Sequence, residues 1–483
     1  MFRKEILSPA VIHAGDKDLI RPVYHMTTGL SVSRISSDMK TALAIFEREP
    51  FEWMPGNILT EYNLMCLPDA IPEIHFPSST QALATARRRL MFQELLLLQC
   101  GICCMNKTEK TTCKSDIHDY SAEFEMLLPF KLTNAQRKSI SEAINDMMSD
   151  IPMNRLLQGD VGSGKTAVAA SICYSTIKSG YQAALMAPTE ILAEQHYKSL
   201  CSIFKNTDIR IGLLTGSTPK KAEFSKLIDS GEFDLVIGTH ALIKDKITFK
   251  NLKLVITDEQ HRFGVNQRSK LIAKGSSPSI LVMSATPIPR TLALMIYGDL
   301  DISVIDELPP GRLPVKTRHV TKNTKPKVFD FIKSQIEAGR QAYIVCPLVE
   351  DNESELISAT EYCDELSKGV FKNYRLGLLH GKMSSKDKEN IMRRFANGEL
   401  DILVSTTVIE VGVDVPNASV MMIENAERFG LSQLHQLRGR VGRGKHKSFC
   451  ILVSDSQNEI SLGRIDIMCE TNDGFKIAEY DLK

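Results

Sequence analysis

The stretch Gly159–Thr166 reads GDVGSGKT and decides how the sequence around it folds. It matches G-x-x-x-x-G-K-[ST] in full, follows an apolar run at Arg155–Gln158 and opens a run of small residues, AVAASIC. That order is typical of a buried strand, a glycine-rich loop and a helix whose N-terminus binds phosphate, and it disfavours a chance glycine-rich turn. We therefore expect Lys165 to reach nucleotide phosphates and the Thr166 hydroxyl to ligate Mg²⁺. The loop backbone would contribute N–H groups around three glycines: Gly159, Gly162 and Gly164.

A second pair of candidate residues follows another apolar run. Leu254–Thr257 ends in two adjacent carboxylates, Asp258 and Glu259. In a P-loop protein a strand-end Asp holds Mg²⁺ and a neighbouring Glu polarises the attacking water. The alternative is a helix N-cap beside a solvated side chain. Because a complete P-loop precedes the pair, we favour Asp258 as a Mg²⁺ ligand and Glu259 as a catalytic residue.

Short apolar runs alternate with amphipathic helical segments from residue 127 onward, which predicts parallel sheets built from βαβ units. The segment Glu307–Arg312 (ELPPGR) interrupts the alternation and predicts an interdomain linker. We expect two α/β domains in tandem, with no sequence identity between them evident by eye. The predicted strands are Arg155–Gln158, Ala183–Ala187, Leu235–Gly238, Leu254–Thr257, Leu281–Ser284, Ala342–Cys346, Gly377–Leu379, Ile402–Ser405, Val420–Ile423 and Cys450–Val453, and the predicted helices of the second domain include Lys325–Ala338 and Ser385–Asn397.

The first part of the chain has a different pattern. Residues 1–40 show little periodicity, whereas 41–126 are mostly helical, with a long helix over Ser79–Met105. The predicted boundaries are thus 1–40, 41–126, 127–308 and 313–483. Arg87–Arg89 could contact phosphates or form a solvated helix face, and the pattern leaves both open.

Composition limits the classes of function. The 483 residues carry 59 Lys and Arg against 58 Asp and Glu, a formal net charge of +1, so any nucleic-acid surface must be a local groove. No apolar run approaches the length of a membrane span, and the N-terminus has no signal-peptide core. The 11 scattered cysteines indicate reduced thiols in the cytoplasm.

Four cysteines lie close together in the sequence at Cys100, Cys103, Cys104 and Cys113. Their spacing, C-x-x-C-C-x₈-C, lacks the second C-x-x-C of a typical zinc site. We expect buried thiols on an apolar helix face, with zinc binding as the weaker alternative.

Further motifs follow in a fixed order, and with them the chain resembles superfamily 2 helicases, most closely the RecG family of ATP-dependent DNA helicases. Ile74–Pro77, with the helix after it, resembles the segment before the core of that family. The resemblance implies two RecA-like domains, ATP and Mg²⁺ as cofactors, and action on forked or branched DNA in recombination and repair. The motifs are Ala187–His196 (motif Ia), Ile237–Leu242 (Ib), Asp258–Val265 (II), Ser284–Leu292 (III), Ser405–Asp414 (V) and His435–Arg443 (VI).

The same resemblance implies roles for individual residues. Phe130 and Gln136 would recognise adenine, and Gly412 and Asp414 would face the nucleotide from the second domain. Arg440 and Arg443 would stabilise charge on the transferring phosphoryl group, with Gln436 as a further catalytic residue. Backbone contacts to DNA would involve Pro188, Thr189, Gly238, Thr239, His380, Gly381 and Thr406.

Two alternatives remain open: a translocase module of the transcription-repair coupling factor type, and a non-catalytic DNA-binding fragment. In the family, a wedge domain precedes the region around Met1 and a hook-like region follows the region around Lys483. We therefore expect a truncated core, a monomer in a bacterial-type cytoplasm, that hydrolyses ATP in response to DNA but regresses forks poorly.

Overall fold

The computed structural model describes residues 22–24, 30–105, 116–259, 270–284, 300–309, 312–347, 352–406, 415–444 and 446–482. The chain divides into two compact units, Met1–Thr108 and Glu109–Lys483. In the described part of the chain, no helix combines the length and the apolar character needed to cross a membrane.

The first unit is helical. Its helices are α1 (Val32–Phe46), α2 (Gly56–Glu61), α3 (Leu67–His75) and α4 (Thr80–Met105). Helix α1 begins at Val32, within the segment that we expected to be irregular, because the Ser31 hydroxyl caps it by accepting from the Arg34 N–H. The predicted long helix is present as α4.

The interpretations of Arg87–Arg89 need correction at Arg89. Its side chain is fully buried and its Nη2 lies 2.9 Å from Glu52 Oε1. Glu52 in turn accepts from the backbone N–H groups of Met54 and Leu67. Arg89 faces the helix contact between α3 and α4 one turn after the buried Ala86, so it supports the fold of this unit and is neither a solvated nor a phosphate-binding residue.

The expectation of buried thiols at the end of α4 is wrong for two cysteines. Cys100 and Cys104 are both exposed. The preceding turns of the helix are also accessible, since Leu97 and Leu98 are more than half exposed. The side chains of Cys103 and Cys113 lie outside the described residues. Among the side chains that are described, no group of three or more His, Cys, Asp or Glu is placed to hold a metal ion.

The second compact unit contains two parallel sheets, which confirms the predicted fold class. We call the part built on the first sheet lobe 1. Its seven strands have the order β3-β4-β2-β5-β6-β1-β7, and all their pairings are parallel. The elements are α5 (Ser121–Leu127), α6 (Asn134–Met148), β1 (Asn154–Gly159), α7 (Lys165–Lys178), β2 (Gln182–Met186), α8 (Glu190–Ile203), β3 (Ile211–Leu214), α9 (Lys221–Ser230), β4 (Leu235–Gly238), β5 (Leu252–Asp258), β6 (Ser279–Ser284) and β7 (Asp301–Ile305).

Lobe 2 is built on the second sheet, whose six parallel strands have the order β10-β11-β9-β12-β13-β8. Its elements are β8 (Lys316–Val320), α10 (Lys325–Glu337), β9 (Gln341–Val345), α11 (Asn352–Lys368), β10 (Leu376–Leu379), α12 (Ser385–Ala396), β11 (Ile402–Ser405), β12 (Ala418–Ile423), α13 (Leu431–Arg438), β13 (Phe449–Val453), α14 (Glu459–Glu470) and α15 (Gly474–Asp481).

The two lobes repeat each other, and the sequence contains a trace of the repeat that we did not recognise. Gly231–Asp234 reads GEFD before β4, and Gly398–Asp401 reads GELD before β11. In each lobe an arginine before the edge strand binds this loop. Arg210 donates to the Gly231 carbonyl and pairs with Asp234, whereas Arg375 donates to the Gly398 carbonyl and pairs with Asp401.

A buried glutamine is repeated as well. The Gln182 Nε2 group donates to two carbonyls before β4, one in the last turns of the preceding helix at 3.1 Å and one in the loop that follows it at 2.8 Å. The Gln341 Nε2 group does the same before β11, at 2.6 and 2.8 Å. Each glutamine also accepts a hydrogen bond through Oε1 from an asparagine, Asn251 or Asn417. The repeat therefore extends from strand order to individual side chains.

Candidate functional site

The predicted phosphate loop connects β1 to α7, as its sequence pattern requires. Gly162 and Gly164 adopt φ angles of +77° and +89°, which residues with a Cβ rarely adopt. Space is also limited at Gly159, where an added Cβ would lie 2.6 Å from Ser163 Oγ. The three glycines thus keep the loop compact and its backbone accessible, the geometry in which N–H groups converge on an anion.

Lys165 is the first residue of α7 and points back over this loop. Its Nζ donates to the carbonyls of Gly159 and Asp160 at 2.6 and 3.0 Å. Burial lowers the pKa of Lys165 to about 8, although the nearby Asp258 and Glu259 carboxylates act in the opposite direction. A poorly solvated ammonium group at a helix N-terminus is suited to bind a phosphate.

Asp258 ends β5 and faces the same space. His196 on α8 holds it through a 2.8 Å contact between His196 Nε2 and Asp258 Oδ2. Burial by itself raises the pKa of Asp258, but the His196 hydrogen bond and the neighbouring positive charges outweigh burial and hold that pKa below its usual value. Asp258 is therefore a carboxylate, and together with the Thr166 hydroxyl it offers the hard oxygen ligands that Mg²⁺ prefers.

Glu259 follows Asp258 in a left-handed conformation, with φ +54°. A non-glycine residue in this region is uncommon and costs conformational free energy, so the surrounding structure must hold it. Its N–H donates to the Met283 carbonyl on the neighbouring strand β6, at 3.0 Å. The strained turn separates the directions of two successive carboxylates, as different roles for Asp258 and Glu259 require.

Arg440 and Arg443 come to this site from lobe 2. Both follow α13, and both line a cavity of about 320 Å³ whose other walls belong to lobe 1. Arg440 is buried, and Arg443 Nε donates to the Gly439 carbonyl. The predicted residues that line this one cavity are Gly162, Lys165, Thr166, Asp258, Glu259, Arg440 and Arg443.

The residues predicted to recognise adenine are placed less uniformly. Gln136 is buried and forms a capping box with Thr133 at the start of α6. Its Nε2 donates to the Ser163 carbonyl in the phosphate loop at 2.8 Å, so it contacts the loop directly. Phe130 is 48% exposed before that helix.

The other predicted residues of lobe 2 are only partly described. Gln436 is buried on α13, and Gly412 and Asp414 lie outside the described residues.

The predicted DNA-binding residues all follow the carboxyl ends of strands. Pro188 and Thr189 come after β2, and Gly238 and Thr239 lie at the end of the neighbouring β4. In lobe 2, His380 and Gly381 follow β10, and Thr406 follows its neighbour β11. Thr189 caps α8 by accepting from the Leu192 N–H, whereas Thr239 and Thr406 are buried. Their roles on DNA remain predictions.

Three side chains at this site were missed by the sequence reasoning. His196 holds Asp258, His435 lies 3.1 Å from Asp160 in the phosphate loop, and Arg312 donates to the Val161 carbonyl. His196 and His435 lie inside motifs Ia and VI as we quoted them, and Arg312 ends the predicted linker. Their presence was visible in the sequence, but their partners were not.

Comparison with known families agrees with this geometry. The family model described as DEAD/DEAH box helicase matches residues 133–295, and the model described as helicase conserved C-terminal domain matches residues 325–445. The class defined by the fold and the site is thus that of helicases with two RecA-like lobes. A solved structure at low identity shows the same fold: S. cerevisiae Dbp5 bound to RNA and ADP BeF3, 18% identical over 77% of this chain and 100% of its own, has a TM-score of 0.52.

Relatives at higher identity define the family. The ATP-dependent DNA helicase RecG of Bacillus subtilis is 47% identical over 98% of this chain and 70% of its own length. RecG of Synechocystis is 48% identical over 96% of this chain. A solved structure of RecG bound to a three-way DNA junction is 45% identical over 96% of this chain and has a TM-score of 0.82. The chain belongs to the RecG family of ATP-dependent DNA helicases.

This chain matches only part of the length of some of these relatives. The chain spans 57% of the length of the Synechocystis protein and 62% of the chain bound to the three-way junction.

Proposed function

We propose that this chain is an ATP-hydrolysing DNA motor of RecG type that acts on branched DNA, such as forks and Holliday junctions, in recombination and repair. The observation that carries the proposal is the shared cavity, in which Lys165, Asp258 and Glu259 of lobe 1 face Arg440 and Arg443 of lobe 2. A site divided between two lobes can respond to their relative movement, which is the property that a motor needs.

The residues fit ATP with Mg²⁺. The phosphate loop and Lys165 would hold the β- and γ-phosphates, and Thr166 and Asp258 would hold the metal ion, which neutralises phosphate charge. Glu259 would orient and polarise the attacking water. Arg440 and Arg443 would stabilise the negative charge on the transferring phosphoryl oxygens, a contribution of about 10³–10⁵ in rate where one arginine acts in this way.

DNA would bind along the carboxyl edges of both sheets, where the predicted contact residues follow β2, β4, β10 and β11. Threonine, glycine and backbone N–H groups at such positions contact phosphates without reading sequence. The net charge of +1 is compatible with a local groove of this kind. The junction-bound relative supports branched DNA as the substrate. The RecG names of the relatives favour this proposal over a coupling-factor module. Their bacterial sources agree with the cytoplasmic location that we propose, and a monomer is the proposed working form.

The test is ATP turnover by the purified chain alone, with linear duplex, with single-stranded DNA and with a synthetic three-way junction of matched length. We expect DNA to stimulate turnover and the junction to do so at the lowest DNA concentration. Turnover that is absent under all conditions would instead support the non-catalytic alternative, and equal stimulation by all three DNAs would contradict the branched substrate.

Glu259→Gln is the matched control for this assay. The amide keeps the shape of the side chain but cannot polarise water, so kcat should fall by about 10²–10³ while the affinity for ATP stays within about threefold. An equal fall in affinity would make Glu259 a binding residue. Activity that survives this change would point to a contaminating ATPase or to a different base.

A further inference from the structure

Lobe 2 contacts the phosphate loop at Asp160, a residue to which the proposed ATP site assigns no role. The Asp160 carboxylate, the second residue of the loop, accepts from two elements of lobe 2. His435 Nε2 on α13 lies 3.1 Å from Asp160 Oδ1, and the Gly474 N–H at the start of α15 lies 3.2 Å from Asp160 Oδ2. Both oxygens of one loop carboxylate are thus bound across the cleft.

The chemistry of the partners fixes the direction of the first bond. Arg438 Nη2 lies 3.0 Å from His435 Nδ1, and a guanidinium can only donate. Nδ1 of His435 must therefore accept, and its ring proton lies on Nε2, where it is donated to Asp160. Arg438 is itself fixed, because its Nη1 donates to the Met468 and Thr471 carbonyls.

Packing supports the same contact. Gly439 ends α13 against the loop, and a Cβ added there would lie 2.8 Å from Val161 Cβ. His435 and Arg438 are buried. Burial by itself raises the pKa of Asp160, but the His435 and Gly474 hydrogen bonds and the neighbouring positive charges together outweigh burial and hold that pKa below its usual value, so Asp160 accepts as a carboxylate.

We propose that Asp160 and His435 are positioning residues that dock α13 on the phosphate loop, and thereby place Arg440 and Arg443 over the phosphates. Arg440 lies five residues after His435 in the sequence, and Arg443 eight, so the two arginines emerge directly from the docked end of the helix. The docking therefore determines whether lobe 2 completes the catalytic site. The role rests on the proposed ATPase function and adds to it two residues that do not touch the nucleotide themselves.

The test is a double-mutant cycle in ATP turnover with Asp160→Ala, His435→Leu and the double variant. Each single change should lower kcat roughly 10-fold or more, and the double variant should be no slower than the slower single variant, because both remove one contact. The affinity for a fluorescent, non-hydrolysable ATP analogue should stay within about threefold in every variant. The proposal would be overturned if the decreases in kcat of the two single variants multiplied in the double variant. It would also be overturned if the variants lost affinity for the ATP analogue but retained kcat.

Two further variants separate positioning from general damage. His435→Gln keeps a donor for Asp160 and an acceptor for Arg438, so it should restore most of the turnover that His435→Leu loses. His319→Ala is the matched control, since the His319 ring on β8 of lobe 2 contacts the Ser454 carbonyl through Nε2 and its loss should leave kcat unchanged. A glutamine variant as slow as the leucine variant would contradict the proposed donor.

Failure of the wider function would look different. If the unchanged chain did not hydrolyse ATP with any DNA, the proposed activity would fail. The docking itself would then be tested by the melting temperature of the same four proteins, in which Asp160→Ala and His435→Leu should again be non-additive. Asp160→Asn serves this purpose if the alanine variant does not fold, because the amide retains one of the two acceptors.

Discussion

The carboxyl edges of the two sheets are equivalent in topology and opposite in chemistry. Strands β1 and β8 occupy equivalent positions in the two sheets, and a lysine begins the helix after each of them: Lys165 on α7 and Lys325 on α10. Strands β5 and β12 are also equivalent, and an acidic residue lies at the carboxyl end of each: Asp258 ends β5 and Glu424 follows β12. In lobe 1 the glycine-rich loop keeps the lysine over backbone carbonyls. In lobe 2 Lys325 Nζ lies 2.7 Å from Glu424 Oε1, with side chains only 22% and 8% exposed.

Aromatic rings complete the difference. Lys325 Nζ lies 4.8 Å from the centre of the Tyr362 ring, and the Tyr362 hydroxyl donates to Glu424. Burial and the Glu424 carboxylate raise the pKa of Tyr362, so the hydroxyl stays a donor. The same framework thus leaves the lysine of lobe 1 over the glycine-rich loop and pairs the lysine of lobe 2 with a buried carboxylate, a difference that supports placing the proposed phosphate site in lobe 1.

The largest expected effect comes from removing either lysine. Lys165→Ala should reduce ATP turnover by about 10³ or more, because the charge on the γ-phosphate loses its partner, while the free energy of unfolding changes little. Lys325→Ala should do the reverse, since it leaves Glu424 buried without its ion pair: a loss of about 2–3 kcal/mol in stability with kcat retained.

Chemical denaturation and phosphate release, measured on the same preparations, give both quantities. If Lys325→Ala lost turnover and Lys165→Ala lost stability, the assignment of the two edges would be inverted and the comparison would not hold.

A smaller and symmetrical effect is expected at the repeated glutamines. Gln182→Met and Gln341→Met keep the volume of the side chain but leave two carbonyls and one donor group, buried or partly buried at these contacts, without their bonds. Each should lower the free energy of unfolding by about 2–3 kcal/mol. Arg210→Ala and Arg375→Ala are matched controls in the same repeat, because ion pairs of exposed arginines contribute little to stability, so each should have a clearly smaller effect than the glutamine change in its lobe. If the two glutamine changes differed in their effect on the free energy of unfolding by more than the contribution of one hydrogen bond, the repeated contacts would share their geometry but not their energetic role.

The smallest expected effect is a pH dependence of ATP binding that arises from Lys165 in lobe 1. Its pKa of about 8 means that the ammonium loses its proton above this pH in the unliganded chain. Bound phosphate stabilises the protonated form, so binding takes up a proton and the affinity falls as pH rises, by about tenfold per unit above pH 8.

Titration calorimetry at pH 7.5, 8.5 and 9.5, in buffers of different ionisation enthalpy, measures both the affinity and the proton uptake. Lys165→Arg should flatten the profile, since arginine remains charged over this range. An unchanged chain with a flat profile would mean that burial does not shift this lysine.

The sequence predicted the central strands well because they are apolar throughout. The predicted strands at Leu235–Gly238 and Ile402–Ser405 have the observed bounds, and the other eight fall within about two residues of theirs. The three strands that we missed, β3, β7 and β8, all lie at an edge of a sheet. Edge strands have one side next to solvent or a loop, so they need no continuous apolar run, and β8 reads KTRHV.

In the candidate site, the residues that could be predicted are those that belong to a single motif, whereas contacts between distant segments could not be predicted. Residues inside one motif, such as Lys165 and Thr166, were identified because their spacing alone specifies the chemistry. His435 and Asp160 are 275 residues apart, and nothing in either motif indicates the other. Likewise, the left-handed conformation of Glu259 depends on its bond to a neighbouring strand. Such contacts depend on how the lobes and strands pack, which local patterns do not contain.

The glutamine contacts also bear on the order in which the chain folds. Gln182 and Gln341 reach partners only 46 to 76 residues away, all within their own lobe. The contacts of Asp160 span 275 and 314 residues. Because distant contacts carry the larger loop-closure entropy, each lobe can complete its sheet before the lobes meet. During synthesis lobe 1 emerges first, so its phosphate loop is finished long before α13 and α15 exist to dock on it. Under the proposed function, the nascent chain would pass through a stage with a formed loop but without Arg440 and Arg443, in which ATP would bind but would not be turned over.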